Sequence, residues 1–280
     1  MDKVALSNLL AQIHTWAAID NTTGEAFLTK RLGGENPPLP QADGDVLSFS
    51  GMLAQSGEAI AVSTASRCQA LDGSLWRSPK RVKNDPVDSA SRDQLLGFLG
   101  YLVTIKDVPR AELLISYLKS HSMKLCYNAT DNKGGVTPQM MGLMSDVWSY
   151  IGAKGLPWYF WLCRDLVWMG MLISALFSPV SYQTELVAEQ ILLYKTMNGK
   201  VPLFKKLIAR ILRYRDSDNA FYNYLCGDVE KAASLVLSQA PMVAPKDSSV
   251  WVFAPESNTN QFQFSMGWDF IFLINLLLKS

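Results

Sequence analysis

The residues able to do chemistry gather at two junctions where a polar run meets an apolar one. The first is Asp88-Ser89-Ala90-Ser91-Arg92-Asp93-Gln94, followed directly by Leu95-Leu96-Gly97-Phe98-Leu99. The second is Ser265-Met266-Gly267-Trp268-Asp269, followed by Phe270-Ile271-Phe272-Leu273. Helices this apolar must be buried, so their polar starts either cap the helix or floor a site. Read as a site, Asp93 with Asp269 or Asp88 supplies the carboxyl pair of glycosidic-bond cleavage. Arg92 and Gln94 would then bind substrate, Arg92 by pairing with a uronic carboxylate or a phosphate. Read as caps, Asp93 and Asp269 are first-turn acids that stabilise the helix dipole, and for either residue alone this is the simpler role. The pairing of two similar junctions is what favours a site.

Other side chains extend the same reading. Trp76 and Arg77 lie in the loop upstream of the first junction and are candidates for a substrate wall. Tyr182 and Gln183 open a later helix, and Trp268 adjoins Asp269, so all three are candidate sugar contacts. Trp148, Trp158, Trp161 and Trp168 fall at helical positions and read as core. His14 and His121 are the two histidines, and neither has a second ligand near it in sequence, so no metal site is expected. Neither a phosphate-binding glycine loop nor a dinucleotide fingerprint is present, so no cofactor is expected. The basic side of residues 203–215 has no aromatic interleaving and reads as a solvated helix face, and no nucleic-acid partner is expected.

The elements that must position these residues are helices. Periodicity predicts them over 4–19, 47–70, 91–105, 108–120, 138–151, 157–176, 182–197, 203–214, 220–224, 229–238 and 266–278. Gly, Pro and Asn mark long loops at 21–45, 71–88 and 242–263. Hydrophobic residues make up 49% of the 280 and charged residues 18%, enough apolar material for one large core. The net charge of +1 gives no global attraction to nucleic acid or acidic membranes. Four dispersed cysteines without a CxxC pair read as reduced core thiols. The apolar runs 166–177 and 270–278 are too short to span a bilayer and fit buried helices. The expectation is one all-α domain over 1–280, with nearly all-apolar helices inside and amphipathic ones outside. A complete or partial α/α toroid satisfies that pattern, and an irregular helical bundle is the alternative. In a toroid the inner helices run one way and their N-termini gather at one mouth.

The run Ser91-Arg92-Asp93-Gln94-Leu95-Leu96-Gly97 resembles the helix start of phage-associated helical proteins. Their pattern is in turn similar to α/α-toroid carbohydrate-active enzymes, including glycosidases and polysaccharide lyases. Further islands that look similar are Asp72-Gly73-Ser74-Leu75-Trp76-Arg77, Asp218-Asn219-Ala220-Phe221-Tyr222 and Gly267-Trp268-Asp269. The resemblance implies a phage or prophage origin and a glycan connection. Two functions follow as expectations. One is a glycan-processing protein, a glycosidase or polysaccharide lyase, acting on an oligo- or polysaccharide. The other is a non-catalytic virion or interaction protein that contacts phage structural proteins or itself through the long loops. The absence of a charged, then apolar, N-terminal run predicts no secretory signal and a cytoplasmic, host-cytoplasmic or virion location.

Overall fold

The computed structural model describes residues 1–21, 27–31, 40–41, 45–82, 90–125, 134–245, 251–253 and 265–280. The chain is all-α, as expected. Among the described residues there are thirteen α-helices: α1 (Lys3–His14), α2 (Val46–Ser56), α3 (Ala59–Arg67), α4 (Arg92–Ile105), α5 (Val108–Ser120), α6 (Pro138–Ile151), α7 (Tyr159–Leu162), α8 (Arg164–Phe177), α9 (Tyr182–Asn198), α10 (Leu203–Arg215), α11 (Ala220–Cys226), α12 (Val229–Gln239) and α13 (Trp268–Leu278). Two antiparallel two-stranded ladders accompany them. They pair β1 (Ile19–Asp20) with β2 (Phe27–Leu28), and β3 (Lys30–Arg31) with β4 (Pro40–Gln41). Most of the 21–45 and 242–263 loops, and Asp88 with them, lie outside the described residues.

Local chemistry sets the helix ends. Ser91 and Gln94 form a capping box at α4, and Ser181 with Thr184 forms another at α9. Thr137 caps α6, where Pro138 takes the first-turn position that needs no N–H donor. The helix expected over 47–70 is two helices. Gly57 adopts a left-handed conformation with φ of +94°, which ends α2 and lets α3 start in a new direction. The first helix stops at His14 rather than residue 19, because Ile19 and Asp20 pair with Leu28 and Phe27.

Five helices, α2, α4, α9, α11 and α13, touch in a closed cycle in that order. Their contacts run in register. Asp45 and Ser48 meet Gln94, and Gln55 meets Thr196, so α2 is parallel to α4 and α9. Phe49 stacks on Trp251, Val252 is bonded to Asp269, and Lys279 reaches Ser56, so α13 is parallel to α2 as well. The N-termini of these helices therefore share one end of the molecule. Around them lie α1, α3, α5, α8, α10 and α12.

The tightest packing is between α2 and α4. A Cβ added at Gly51 would sit 1.8 Å from the Gly97 carbonyl oxygen. A Cβ at Gly97 would sit 2.4 Å from the Leu47 carbonyl oxygen, and one at Gly100 would meet the Gly51 carbonyl at 2.8 Å. The two backbones touch, and only hydrogen fits between them.

The expectation of a buried helix fails for residues 157–176. Only Val167, Met171 and Ala175 of α8 are buried, while Trp158, Trp161, Leu162, Trp168, Ile173 and Phe177 are exposed. One apolar face of α8 packs on α6, with Gly142 against the Cys163 carbonyl, and the other faces outward. In α10, Ile208 and Leu212 are buried, but Leu203, Phe204 and Leu207 are exposed. Among the described residues, no helix is long and apolar enough to cross a membrane.

Gly51→Ala is expected to destabilise the fold by about 3 kcal/mol or more, because backbone rather than a flexible side chain must move. Denaturant unfolding measures this, and a loss below about 1 kcal/mol would contradict direct backbone contact between α2 and α4.

Candidate functional site

The parallel run of α4, α6 and α9 brings their N-terminal turns together. Because α8 packs antiparallel to α6, with Arg164 beside Ser145 and Gly170 beside Gln139, its C-terminal residues arrive at the same place. These ends enclose a cleft of about 520 Å³. Its walls carry Ser91, Arg92 and Asp93 from α4, Thr137 and Gln139 from α6, Ser174 and Ser178 from the end of α8, and Tyr182, Gln183 and Gln190 from α9. Gln139 donates to Gln190 across the cleft at 3.0 Å. Hydroxyls, amides, a guanidinium and a carboxyl in one concave surface match a polyhydroxylated ligand.

Four residues singled out in the sequence, Arg92, Asp93, Tyr182 and Gln183, share this cleft. Arg92, Tyr182 and Gln183 are exposed, and Asp93 is partly buried. The main-chain N–H of Asp93 donates to Ser91 Oγ at 3.3 Å. The Asp93 carboxyl is pushed above its ordinary range, first by burial and then by the nearby Asp45 carboxylate. Arg92 and Arg77 oppose that shift.

The remaining candidates among the described residues do not line the cleft. Gln94 is fully buried and spent on structure. Its Oε1 accepts from the Ser91 N–H at 2.8 Å, and its Nε2 donates to Asp45 at 3.2 Å. Trp76 donates its indole N–H to Ser74 Oγ at 2.9 Å. Arg77 pairs with Asp45 at 3.4 Å, and its carbonyl accepts from the Leu47 N–H, so this loop anchors the start of α2. Trp268 is buried, and its indole N–H donates to the Ala18 carbonyl at 2.7 Å.

Asp269 lies at the shared end of the inner helices but not in the cleft. It is fully buried and accepts from Ser265 Oγ at 2.7 Å, the Phe270 N–H at 2.9 Å and the Val252 N–H at 3.2 Å. Burial raises its pKa to about 6 against the pull of these hydrogen bonds. It ties α13 to the 251–253 segment. Asp88, the third carboxylate considered, falls outside the described residues.

The sequence reading overlooked the acid that faces Asp93. Glu189 of α9 is 5% exposed, and its Oε2 has no hydrogen-bond partner. Its pKa is raised well above the ordinary 4.5, first by burial, then by Asp93 and Asp45. The carboxyls of Asp45, before α2, Asp93 and Glu189 thus lie near one another, Asp93 on the cleft wall and Glu189 enclosed behind it. Burial with like charge nearby favours the protonated form of Glu189, and Asp93 is the carboxyl that lines the cleft. The available signal was Glu189 among Val187, Ala188, Ile191 and Leu192, a charge on a face that must be buried. Among the described residues, no group of three or more His, Cys, Asp or Glu side chains is arranged to hold a metal ion.

The Glu189 proton has a measurable consequence. The folded chain binds it more tightly than the unfolded chain, so its contribution to stability is complete below pH 4.5 and lost as pH rises through the raised folded-state value. Glu189→Gln is neutral at every pH. Its melting temperature relative to wild type should therefore climb as pH is raised above about 4.5. A gap that stays constant from pH 4 to pH 8 would contradict a protonated Glu189.

No protein-family model, curated protein or solved structure matches this chain.

Proposed function

We propose that this protein processes an acidic glycan, with Asp93 as the acid–base group. The observation that carries this reading is the position of Asp93. It is a carboxyl of raised pKa on the wall of a polar cleft, with Arg92 beside it and Tyr182 and Gln183 on the same wall. A carboxyl of raised pKa is a stronger proton acceptor when ionised and a ready donor when protonated.

Asp93 is the carboxylate among the described lining residues. Hydrolysis by two facing carboxylates needs a second one, and Asp269 is enclosed elsewhere. The lining therefore favours elimination on a uronate. Asp93 takes the proton from the carbon that bears the substrate carboxylate. The electron pair left behind forms a carbon–carbon double bond as the adjacent glycosidic C–O bond breaks. Arg92 pairs with the substrate carboxylate and stabilises the charge that develops there. Tyr182, the phenol among the cleft hydroxyls, returns a proton to the departing oxygen. Burial and the Asp45 carboxylate keep the Asp93 pKa high, and Glu189 lies behind Asp93 without lining the cleft.

Turnover on a panel of acidic polysaccharides tests this, with the ultraviolet absorbance of the unsaturated sugar as readout. Asp93→Asn should lower kcat by about 10²–10⁴-fold while leaving the melting temperature near that of wild type. Equal turnover by Asp93→Asn and wild type, or no turnover of any glycan by wild type, would overturn the proposal. Reducing ends released without new absorbance would replace elimination by hydrolysis.

A further inference from the structure

The packing of α8 leaves an apolar surface that a folded chain in water would not expose without use. Trp158 is 73% exposed, Leu162 70%, Phe177 78%, Leu203 84% and Phe204 70%. These residues belong to one surface, because α7 and α8 are neighbours and α8 contacts α10. The Trp168 and Phe204 rings lie 6.2 Å apart and join the two helices across that contact. Scattered apolar side chains on a surface are ordinary, but an aromatic-rich face built by adjacent helices marks an interaction site.

Charge identifies what covers it. Helix α10 carries Lys205, Lys206, Arg210, Arg213 and Arg215 and no acid along its length. Arg213 pairs with Asp228, Arg215 donates to the Ala175 and Ser178 carbonyls, and Lys205 lies over the Tyr194 ring. Lys206 and Arg210, with the exposed Lys200 just before the helix, remain to give the border of the face a positive sign. A second copy docked by a two-fold axis would set this positive border against itself, with Asp165 of α8 as a nearby exposed acid to offset it. An amphipathic helix with Leu and Phe on one side, Lys and Arg on the other, and tryptophans on the neighbouring helices matches the interface of a negatively charged bilayer.

We infer that the α7–α8–α10 face docks onto an anionic lipid surface. The apolar side chains enter the boundary between headgroups and acyl chains while Lys200, Lys206 and Arg210 meet the phosphates. No described helix spans the bilayer, so the attachment is peripheral and reversible. This inference is independent of the chemistry at Asp93.

Vesicle co-sedimentation of the full chain tests it. The arms are vesicles of phosphatidylcholine alone, vesicles of phosphatidylcholine with phosphatidylglycerol, and size-exclusion chromatography without lipid. The expected result is binding to the anionic vesicles, weakened in high salt, with tryptophan emission shifted to shorter wavelength. The double variant Leu203→Ser with Phe204→Ser should bind at least about tenfold more weakly, with circular dichroism unchanged. Lys206→Glu with Arg210→Glu, a surface change that leaves the apolar face intact, should weaken binding by a similar factor. No binding to anionic vesicles, or equal binding to both compositions, would overturn the inference. So would a concentration-dependent dimer that is abolished by Leu203→Ser with Phe204→Ser, because that outcome assigns the face to a second copy.

Discussion

The contact between the α2 and α4 backbones is the constraint on which the rest depends. Gly51, Gly97 and Gly100 bring the helices so close that each main chain occupies the space of the other's missing Cβ. Backbones that touch leave no slack in axial register. Asp45, at the N-cap of α2, is therefore held opposite Gln94 and near Asp93 in the first turn of α4. When α9 packs parallel against this pair, Glu189 arrives beside both acids. The carboxyl cluster is thus a product of helix register, set by residues that carry no functional group.

The same register explains why one acid faces ligand and two do not. Asp45 is engaged with Gln94 and Arg77, which link the start of α2 to α4 and to the loop that carries Arg77. Glu189 is enclosed on α9, where burial favours its protonated form. Asp93 has one side against these neighbours and the other on the cleft. Its basicity then comes from burial and like charge, two effects of one sign. Asp269 illustrates the alternative. Three hydrogen-bond donors surround it, its raised pKa reflects enclosure alone, and its work is to fasten α13. Two junctions that read alike in sequence separate once burial and partners are counted.

Much of this was legible in the sequence because it rests on local rules. The Ser91 and Gln94 spacing announced a capping box, and the apolar runs announced helices, so the all-α class could be anticipated. Arg92, Asp93, Tyr182 and Gln183 were placed correctly at helix N-termini, and the fold gathers them. What escaped depends on long-range contact. Glu189 gains its meaning from Asp93, nearly a hundred positions away in sequence, and nothing at residues 182–197 reveals that partner. The outward face of α8 escaped for the opposite reason. Composition says that an apolar helix wants to be buried, but not that α6 covers one face and leaves the other for a partner outside the chain. Trp76 and Trp268 looked like sugar platforms because an indole's role depends on where its N–H goes. Here it goes to Ser74 and to the Ala18 carbonyl.

The central claim is that Glu189 binds its proton more tightly than an ordinary glutamate, behind an Asp93 of raised pKa. Carbon-13 nuclear magnetic resonance of the side-chain carboxyls measures this directly, with Glu189→Gln and Asp93→Asn used to assign the signals. The account requires Glu189 to titrate above the ordinary glutamate range, Asp93 to titrate above the ordinary aspartate range, and the Asp93 value to stay raised when Glu189 is replaced by Gln, because burial and Asp45 set it. Glu189 and Asp93 both titrating independently near pH 4 would contradict it.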